Sequence, residues 1–279
     1  MTSICVCGAG TMGSGIAQVA AAAGYATILF DVAAEAVQRA SEKLNKDLGS
    51  LVTKGKMTAE KKDDILRKIQ FTSDIQQCKA DVIIEAIIEK ADIKVSLFNQ
   101  LAEHNSEQTI FASNTSSLSI SALAKEIQHP QRVAGLHFFN PAPLMKLVEV
   151  VKGEQTSEEV IKQLVELTKA LGKVPVVCKD SPGFIVNRVA RPYYIESLRM
   201  VEEGRATYEE IDRVMEAIGF KMGPFKLMDL IGNDVNYAVS CSVYEQLNKP
   251  ERLKPSPLQK EKVEKGELGK KTGKGYFDY

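Results

Sequence analysis

The chain has 279 residues, with 36 Lys and Arg balanced by 36 Asp and Glu. That length suits two domains and a sizeable buried core, and the zero net charge excludes a global basic field for nucleic acid or an acidic disordered tail. Its longest apolar runs, Ile16–Ala23 and Val82–Ile88, are too short for a membrane span or are broken by Gln18 and Glu85.

The first element is a strand, Ser3–Cys7, which runs directly into Gly8-Ala9-Gly10-Thr11-Met12-Gly13 and then an alanine-rich helix. This is the order a dinucleotide site needs. Gly8 makes the tight turn, Gly10 lets the backbone approach a pyrophosphate, and Gly13 lets the helix pack close to the sheet. The helix start offers free N–H groups and a positive dipole end to the phosphates. A second strand, Tyr25–Phe30, ends on Asp31. A carboxylate there can accept hydrogen bonds from the adenine ribose and would repel a 2′-phosphate, so NAD is favoured over NADP. The chain enters its first strand almost at once, so no secretory signal is expected.

Further strands are expected at Asp81–Ile84, Gln108–Ser113, Arg132–Phe138, Lys146–Val151 and Val174–Cys178, mostly buried on both faces. With helices between them they form the alternating pattern of an α/β domain. Ala34–Thr53 and Thr58–Lys68 read as two charged amphipathic helices around Lys54-Gly55-Lys56, with Thr58 as an N-cap, standing away from the sheet as a helical hairpin. After Lys179-Asp180-Ser181-Pro182-Gly183 the periodicity becomes helical. Val186, Val189, Tyr193 and Leu198 mark one helix and Ile211, Val214, Met215 and Ile218 the next; two more follow Met222 and Gly232. The expected fold class is therefore α/β: a Rossmann-type domain over 1–180 with a helical-hairpin insertion, and a smaller all-helical domain over 181–279.

The five cysteines, Cys5, Cys7, Cys78, Cys178 and Cys241, are odd in number and scattered, which suits a reducing cytoplasm better than a disulfide framework. His104, His129 and His137 form no spaced cluster with them, so no metal is expected.

Arg132–Val151 reads as strand, Pro-rich turn, strand, and His137 and Glu149 lie equally far from Pro143. A hairpin centred there sets them opposite one another on one face. A carboxylate beside an imidazole fixes the tautomer, raises basicity and stabilises the imidazolium, which is what alcohol oxidation by hydride loss requires of a base. The same two residues could be a satisfied structural histidine and a solvated glutamate. Asn140 could form an Asx-turn or line the site. Asn114-Thr115-Ser116-Ser117 could cap the next helix or donate to a substrate oxygen. Asn187, early in the first C-terminal helix, could serve the helix surface or an interdomain polar role.

Gly8–Gly13, Glu85-Ala86-Ile87-Ile88-Glu89, Ser113–Ser117, Gly135-Leu136-His137-Phe138-Phe139-Asn140-Pro141, Leu147-Val148-Glu149-Val150, Lys179–Phe184 and Gly269–Tyr276 together resemble the NAD-dependent 3-hydroxyacyl-CoA dehydrogenases. The likeness runs from end to end and is greatest to the compact bacterial 3-hydroxybutyryl-CoA dehydrogenases. It implies that His137 is the catalytic base, Glu149 its orienting carboxylate, and Ser116 the donor to the substrate 3-oxygen. It also implies that Asn187 helps hold the acyl-CoA, that Asn140 supports the His137 region beside the cofactor, and that Glu89, Lys94, Asn114 and Lys271, with Thr11 and Met12 of the turn, line the NAD site. Lys54 matches a position meeting the CoA phosphates, and the helical domain is the family's dimerisation domain, which implies a homodimer. Two departures stand out. Asp47 occupies a CoA-contact position where mitochondrial members carry serine, and Lys90 follows Glu89 where many members have Asn.

The reaction so implied is reversible oxidoreduction of (S)-3-hydroxyacyl-CoA and 3-ketoacyl-CoA, with acetoacetyl-CoA and 3-hydroxybutyryl-CoA as the expected pair. One alternative is a dehydrogenase of small β-hydroxy acids without CoA; such enzymes typically use a lysine base and have no use for Lys54 on a helical hairpin. The other is a non-catalytic NAD-binding structural protein, which has no physical need for His137, Glu149, Ser116 and Asn187 together.

Overall fold

A computed structural model describes residues 3–279, which divide into two compact units, one ending at Asp180 and the other spanning Ser181–Tyr279. In the first unit the strands are β1 (Ser3–Cys7), β2 (Ala26–Phe30), β3 (Ile69–Thr72), β4 (Val82–Glu85), β5 (Ile110–Ser113), β6 (Val133–Phe138), β7 (Leu147–Lys152) and β8 (Val174–Lys179). The helices between them are α1 (Thr11–Ala22), α2 (Ala34–Thr53), α3 (Ala59–Arg67), α4 (Ala91–Ala102), α5 (Ile120–Lys125) and α6 (Glu158–Ala170). The eight strands form one sheet in the order β3-β2-β1-β4-β5-β6-β7-β8. The first six are parallel, β7 runs antiparallel to β6, and β8 runs parallel to β7.

Chain direction across the sheet reverses beside β1, which pairs with β2 on one side and β4 on the other. A crevice opens beyond the strand ends at such a reversal, and ligands of open α/β sheets bind there. Ile4, Val6, Leu29, Val82, Ile84, Leu136 and Val150 form the middle of the core, and Val160, Ile161, Leu164 and Leu167 of α6 cover it from one side. Each such side chain contributes about 1.5–3 kcal/mol when fully buried.

Three features differ from the sequence reading. Strand β3 was not expected: Ile69-Gln70-Phe71-Thr72 is only four residues long and its Gln interrupts the apolar run, yet it completes the edge beside β2. The α2–α3 pair forms as a hairpin, with the Thr58 hydroxyl accepting from the Lys61 amide, but it does not stand clear of the sheet. Ala40, Leu44, Leu48 and Ile65 are buried in the main core, so only its charged outer face is solvated. Finally, β8 is not buried on both faces. Val174 and Val177, on opposite faces, are 53% and 50% exposed, because β8 is an edge strand.

The second unit contains α7 (Val186–Glu202), α8 (Tyr208–Ala217), α9 (Pro224–Ile231), α10 (Asn233–Gln246) and α11 (Pro257–Glu264). Its core gathers Tyr194, Leu198, Ile211, Phe225, Met228 and Tyr276. The buried Asp229 carboxylate accepts from the Tyr276 and Phe277 amides and the Tyr279 hydroxyl, which fastens the C-terminal segment to α9. Among the described residues no helix is long and apolar enough to cross a membrane.

Candidate active site

At the end of β1 the chain turns because Gly8 adopts φ +104°, a conformation that L side chains rarely take. A Cβ on Gly8 would lie 2.6 Å from the Ala86 carbonyl oxygen, and one on Gly13 would lie 1.8 Å from the Gly8 carbonyl oxygen. Both contacts are far inside van der Waals distance, so turn, helix and neighbouring strand fit only without side chains. Gly10 differs, since a Cβ there meets nothing within 4 Å. It is the N-cap of α1, and no side chain caps that end. The first-turn amides of Thr11, Met12 and Gly13 are therefore left without a side-chain cap at the positive end of the helix dipole, as a pyrophosphate site requires. Asp31 lies beside them. Its Oδ2 accepts from the Ala9 amide at 2.8 Å and its Oδ1 from the Ala33 amide at 3.0 Å. A carboxylate offers about four acceptor directions, so capacity remains for ribose hydroxyls. These residues fit an NAD molecule.

The next parallel strands carry a charged network. Glu85, wholly buried at the end of β4, accepts from Lys94 Nζ at 2.5 Å, the Ser113 hydroxyl at 2.7 Å and the Ile87 amide at 2.7 Å. Burial pushes its carboxyl above the ordinary value, with Lys94 opposing. The same ammonium reaches Glu89 Oε2 at 3.0 Å. Glu89 Oε1 in turn accepts from the Thr115 hydroxyl at 2.5 Å, the Ser117 hydroxyl at 3.0 Å and the Ser116 amide at 3.1 Å. Partial burial raises the Glu89 carboxyl, but Lys94 and these donors bring it below its ordinary value. A loop rich in hydroxyls is thereby held in one shape by one carboxylate.

Asn114 ties that loop to the next strand, its Oδ1 accepting from the Phe138 amide at 2.8 Å. One residue earlier, His137 is paired across the β6–β7 ladder with Glu149. His137 Nδ1 and Glu149 Oε2 are 2.8 Å apart, with Glu149 wholly buried and His137 nearly so. The Phe139 ring lies against the imidazole, centroids 4.5 Å apart. The carboxylate thus holds the ring by its Nδ1 edge. Cys178 on β8 shares this face of the sheet. Burial, then the Glu149 and Asp180 charges, push its thiol up to about 12, which keeps it protonated and unreactive.

The remaining expected residues lie elsewhere. Asn140 is exposed in the turn after β6, and Lys54 is exposed at the C-cap of α2. Lys94 is only 1% exposed, its ammonium engaged by two carboxylates rather than presented at the surface. In the second unit, Asn187 sits in the first turn of α7, its carbonyl accepting from Arg191 Nε at 2.9 Å, and Lys271 is ion-paired with Asp234 at 2.6 Å. Sequence reasoning gave no role to Glu85 or Ser113, and read Thr115 only as a helix cap or a substrate donor. The available signal was a single acid closing an otherwise apolar strand, with a lysine in the next helix.

Two family models match the chain: the 3-hydroxyacyl-CoA dehydrogenase NAD binding domain over residues 3–181 and the C-terminal domain of the same family over 183–279. The chain belongs to the 3-hydroxyacyl-CoA dehydrogenase family. It is 52% identical to the 3-hydroxyadipyl-CoA dehydrogenase of Escherichia coli K12 over 99% of its own length, spanning 59% of that relative. It is 42% identical to a probable 3-hydroxybutyryl-CoA dehydrogenase of Deinococcus radiodurans, covering 98% of this chain and 99% of the other. Among solved structures, the (S)-3-hydroxybutyryl-CoA dehydrogenase of Ralstonia eutropha superposes with a TM-score of 0.95 at 38% identity, over 100% of this chain and 99% of that one. Family membership accounts for the Rossmann-type sheet and the NAD-binding turn together. Among the described residues no group of three or more His, Cys, Asp or Glu side chains could hold a metal ion.

Proposed function

We propose that this chain catalyses reversible NAD(H)-dependent oxidoreduction of (S)-3-hydroxyacyl-CoA and 3-ketoacyl-CoA, with acetoacetyl-CoA and 3-hydroxybutyryl-CoA as the working pair. The observation that carries this reading is the buried His137–Glu149 pair near the same end of the parallel strands as a glycine turn fit for NAD. In oxidation His137 Nε2 takes the hydroxyl proton, and Glu149, already on Nδ1, stabilises the imidazolium that results. In reduction the same nitrogen returns the proton to the 3-keto oxygen. The hydride is taken up or supplied by the nicotinamide of bound NAD(H). Ser116, whose amide is anchored on Glu89, steadies the substrate oxygen as charge develops, and Asn187 contributes from the helical unit.

Gly8, Gly10, Thr11, Met12, Gly13, Asp31, Glu89, Asn114 and Asn140 are assigned to the cofactor, with Lys94 acting through Glu89 and Lys271 from the helical unit. Lys54, exposed where α2 ends, is assigned to the CoA phosphates. A cytoplasmic homodimer is part of the proposal. Exposed Val189, Val214, Ile218 and Phe220 on the helical unit support association through that unit.

The test is NADH consumption by the purified chain with acetoacetyl-CoA, with free acetoacetate and with a chain-length series of 3-ketoacyl-CoA thioesters that includes a dicarboxylic member. Turnover fastest with acetoacetyl-CoA is the expected result. Equal turnover of free acetoacetate would overturn the CoA assignment. A dicarboxylic optimum would move the substrate toward that named for the Escherichia coli relative.

A further inference from the structure

Lys173 lies between α6 and β8, outside every motif described above, and its side chain is buried. Its ammonium donates to the main-chain carbonyls of Ala142 at 2.6 Å, Met145 at 2.8 Å and Pro143 at 3.3 Å. All three N–H donors of a lysine are thus directed into one turn. That turn joins β6 to β7, the strands that carry His137 and Glu149. Within it the Leu144 and Met145 amides already donate to the Pro141 carbonyl, so the carbonyls that point inward depend on Lys173. A buried cation without these acceptors would be costly, and so would buried carbonyls without a donor. Burial pulls the Lys173 ammonium below its ordinary pKa, as expected of a charge compensated by neutral dipoles.

The other side of the turn touches the cofactor half. A Cβ on Gly15, in α1, would come within 3.2 Å of both Ala142 Cβ and Pro143 Cδ. Helix α1, whose first turn faces the pyrophosphate, therefore packs on the segment that Lys173 holds from behind.

We infer that Lys173 is a positioning residue: by gripping the Ala142–Met145 turn against α1, it fixes the His137 imidazole relative to the cofactor helix. It touches no reacting atom. It acts through the turn, and the inference rests on the oxidoreductase reading proposed above. Misplacement of a catalytic group by about 1 Å can cost on the order of a hundredfold in rate, which sets the scale of the expected effect.

The experiment compares wild type, Lys173→Met and Lys173→Arg. For each, NADH affinity, kcat with acetoacetyl-CoA, and the primary isotope effect on kcat with 4-deuterated NADH are measured. In Lys173→Met, kcat should fall roughly tenfold to a hundredfold while the NADH Kd stays within about twofold, and the isotope effect should rise because hydride transfer becomes slower relative to the other steps. Lys173→Arg, which keeps a donor fork for the carbonyls, should recover most of kcat and the wild-type isotope effect. An unchanged kcat in Lys173→Met overturns the inference. So does a reduced kcat with an unchanged isotope effect, since fewer folded molecules lower the rate without altering the step. If Lys173→Met does not fold, Lys173→Arg decides alone: wild-type kcat and isotope effect support the inference, and a lower kcat with an unchanged isotope effect overturns it. If the wild type turns over no thioester, the oxidoreductase reading fails separately. The Nδ1 proton resonance of His137, one of three histidines in the chain, then tests the inference directly. Lys173→Met must shift it, and an unmoved resonance in folded protein overturns the inference.

Discussion

Between β1 and α1 the chain makes its site by leaving side chains out; between β6 and β7 it makes it by burying two titratable ones. At the first place Gly8 and Gly13 let backbone meet backbone, and the helix start is left as a row of amides that no side chain caps. At the second, Glu149 is wholly buried and stays tolerable because His137 Nδ1 lies 2.8 Å away. The first arrangement can bind charge but cannot move a proton, whereas the second can move a proton and binds little. Damage to the two should therefore separate cleanly, with binding lost at the turn and turnover lost at the hairpin.

The largest effect tests the hairpin side. His137→Gln should lower kcat by on the order of 10²–10⁴-fold, the usual contribution of a positioned acid/base. NADH affinity, followed by fluorescence titration, should be little changed. Near wild-type kcat in that variant would remove His137 from the chemistry. Gly13→Ala should do the reverse. A methyl group placed 1.8 Å from the Gly8 carbonyl oxygen must move the backbone. Overpacking of this kind costs about 1–3 kcal/mol, read as a lower Tm, and NADH binding should be lost with it. A variant that binds NADH normally would show that the turn is not the cofactor site. Glu149→Gln keeps the shape of the pair and removes its charge. It should reduce kcat less than His137→Gln does, because the ring keeps a hydrogen-bonding partner on Nδ1 but loses the charge opposite it. A kcat equal to wild type would reduce Glu149 to a packing residue.

The same contrast explains what could be read from the amino-acid order. The glycine turn is contiguous, so its spacing is visible as text. The His137–Glu149 pair is twelve residues apart but spans a single hairpin, and a centre at Pro143 sets the register. Nothing comparable exposes Glu85 and Lys94. A carboxylate ending an apolar strand reads as an interruption, and its partner lies on the following helix, whose rotation about its axis is set by packing. Lys173 was harder still, since its acceptors are carbonyls, which every residue possesses. The α2–α3 hairpin misled in the opposite sense. Its charged composition describes the outer face, whereas Leu44, Leu48 and Ile65, which set its packing, are few. Strand β8 reads as buried because its valines suit a core, but strand order, which decides what is an edge, is a property of the whole sheet.

A third construction lies between the two, and it gives the smallest effect. The Ser116 loop is shaped neither by missing side chains nor by a matched pair, but by one carboxylate, Glu89, shared among Lys94, Thr115, Ser116 and Ser117. Burial opposes ionisation there, and these partners outweigh it, so the folded-state pKa lies below the ordinary 4.5. A carboxyl whose pKa is depressed on folding holds fewer protons in the native state. Its contribution to stability is therefore complete above the unfolded pKa and is lost as pH falls through the folded one. Glu89→Gln removes that contribution. The wild type should melt above the variant at neutral pH, and the gap should close as pH drops below about 4.5 toward the folded-state pKa. Because Glu89 is partly exposed, solvent screening keeps the gap small. Melting curves of the two proteins that stay parallel down to acid pH would show that the charge on Glu89 does not hold the loop, and that its hydrogen bonds alone suffice.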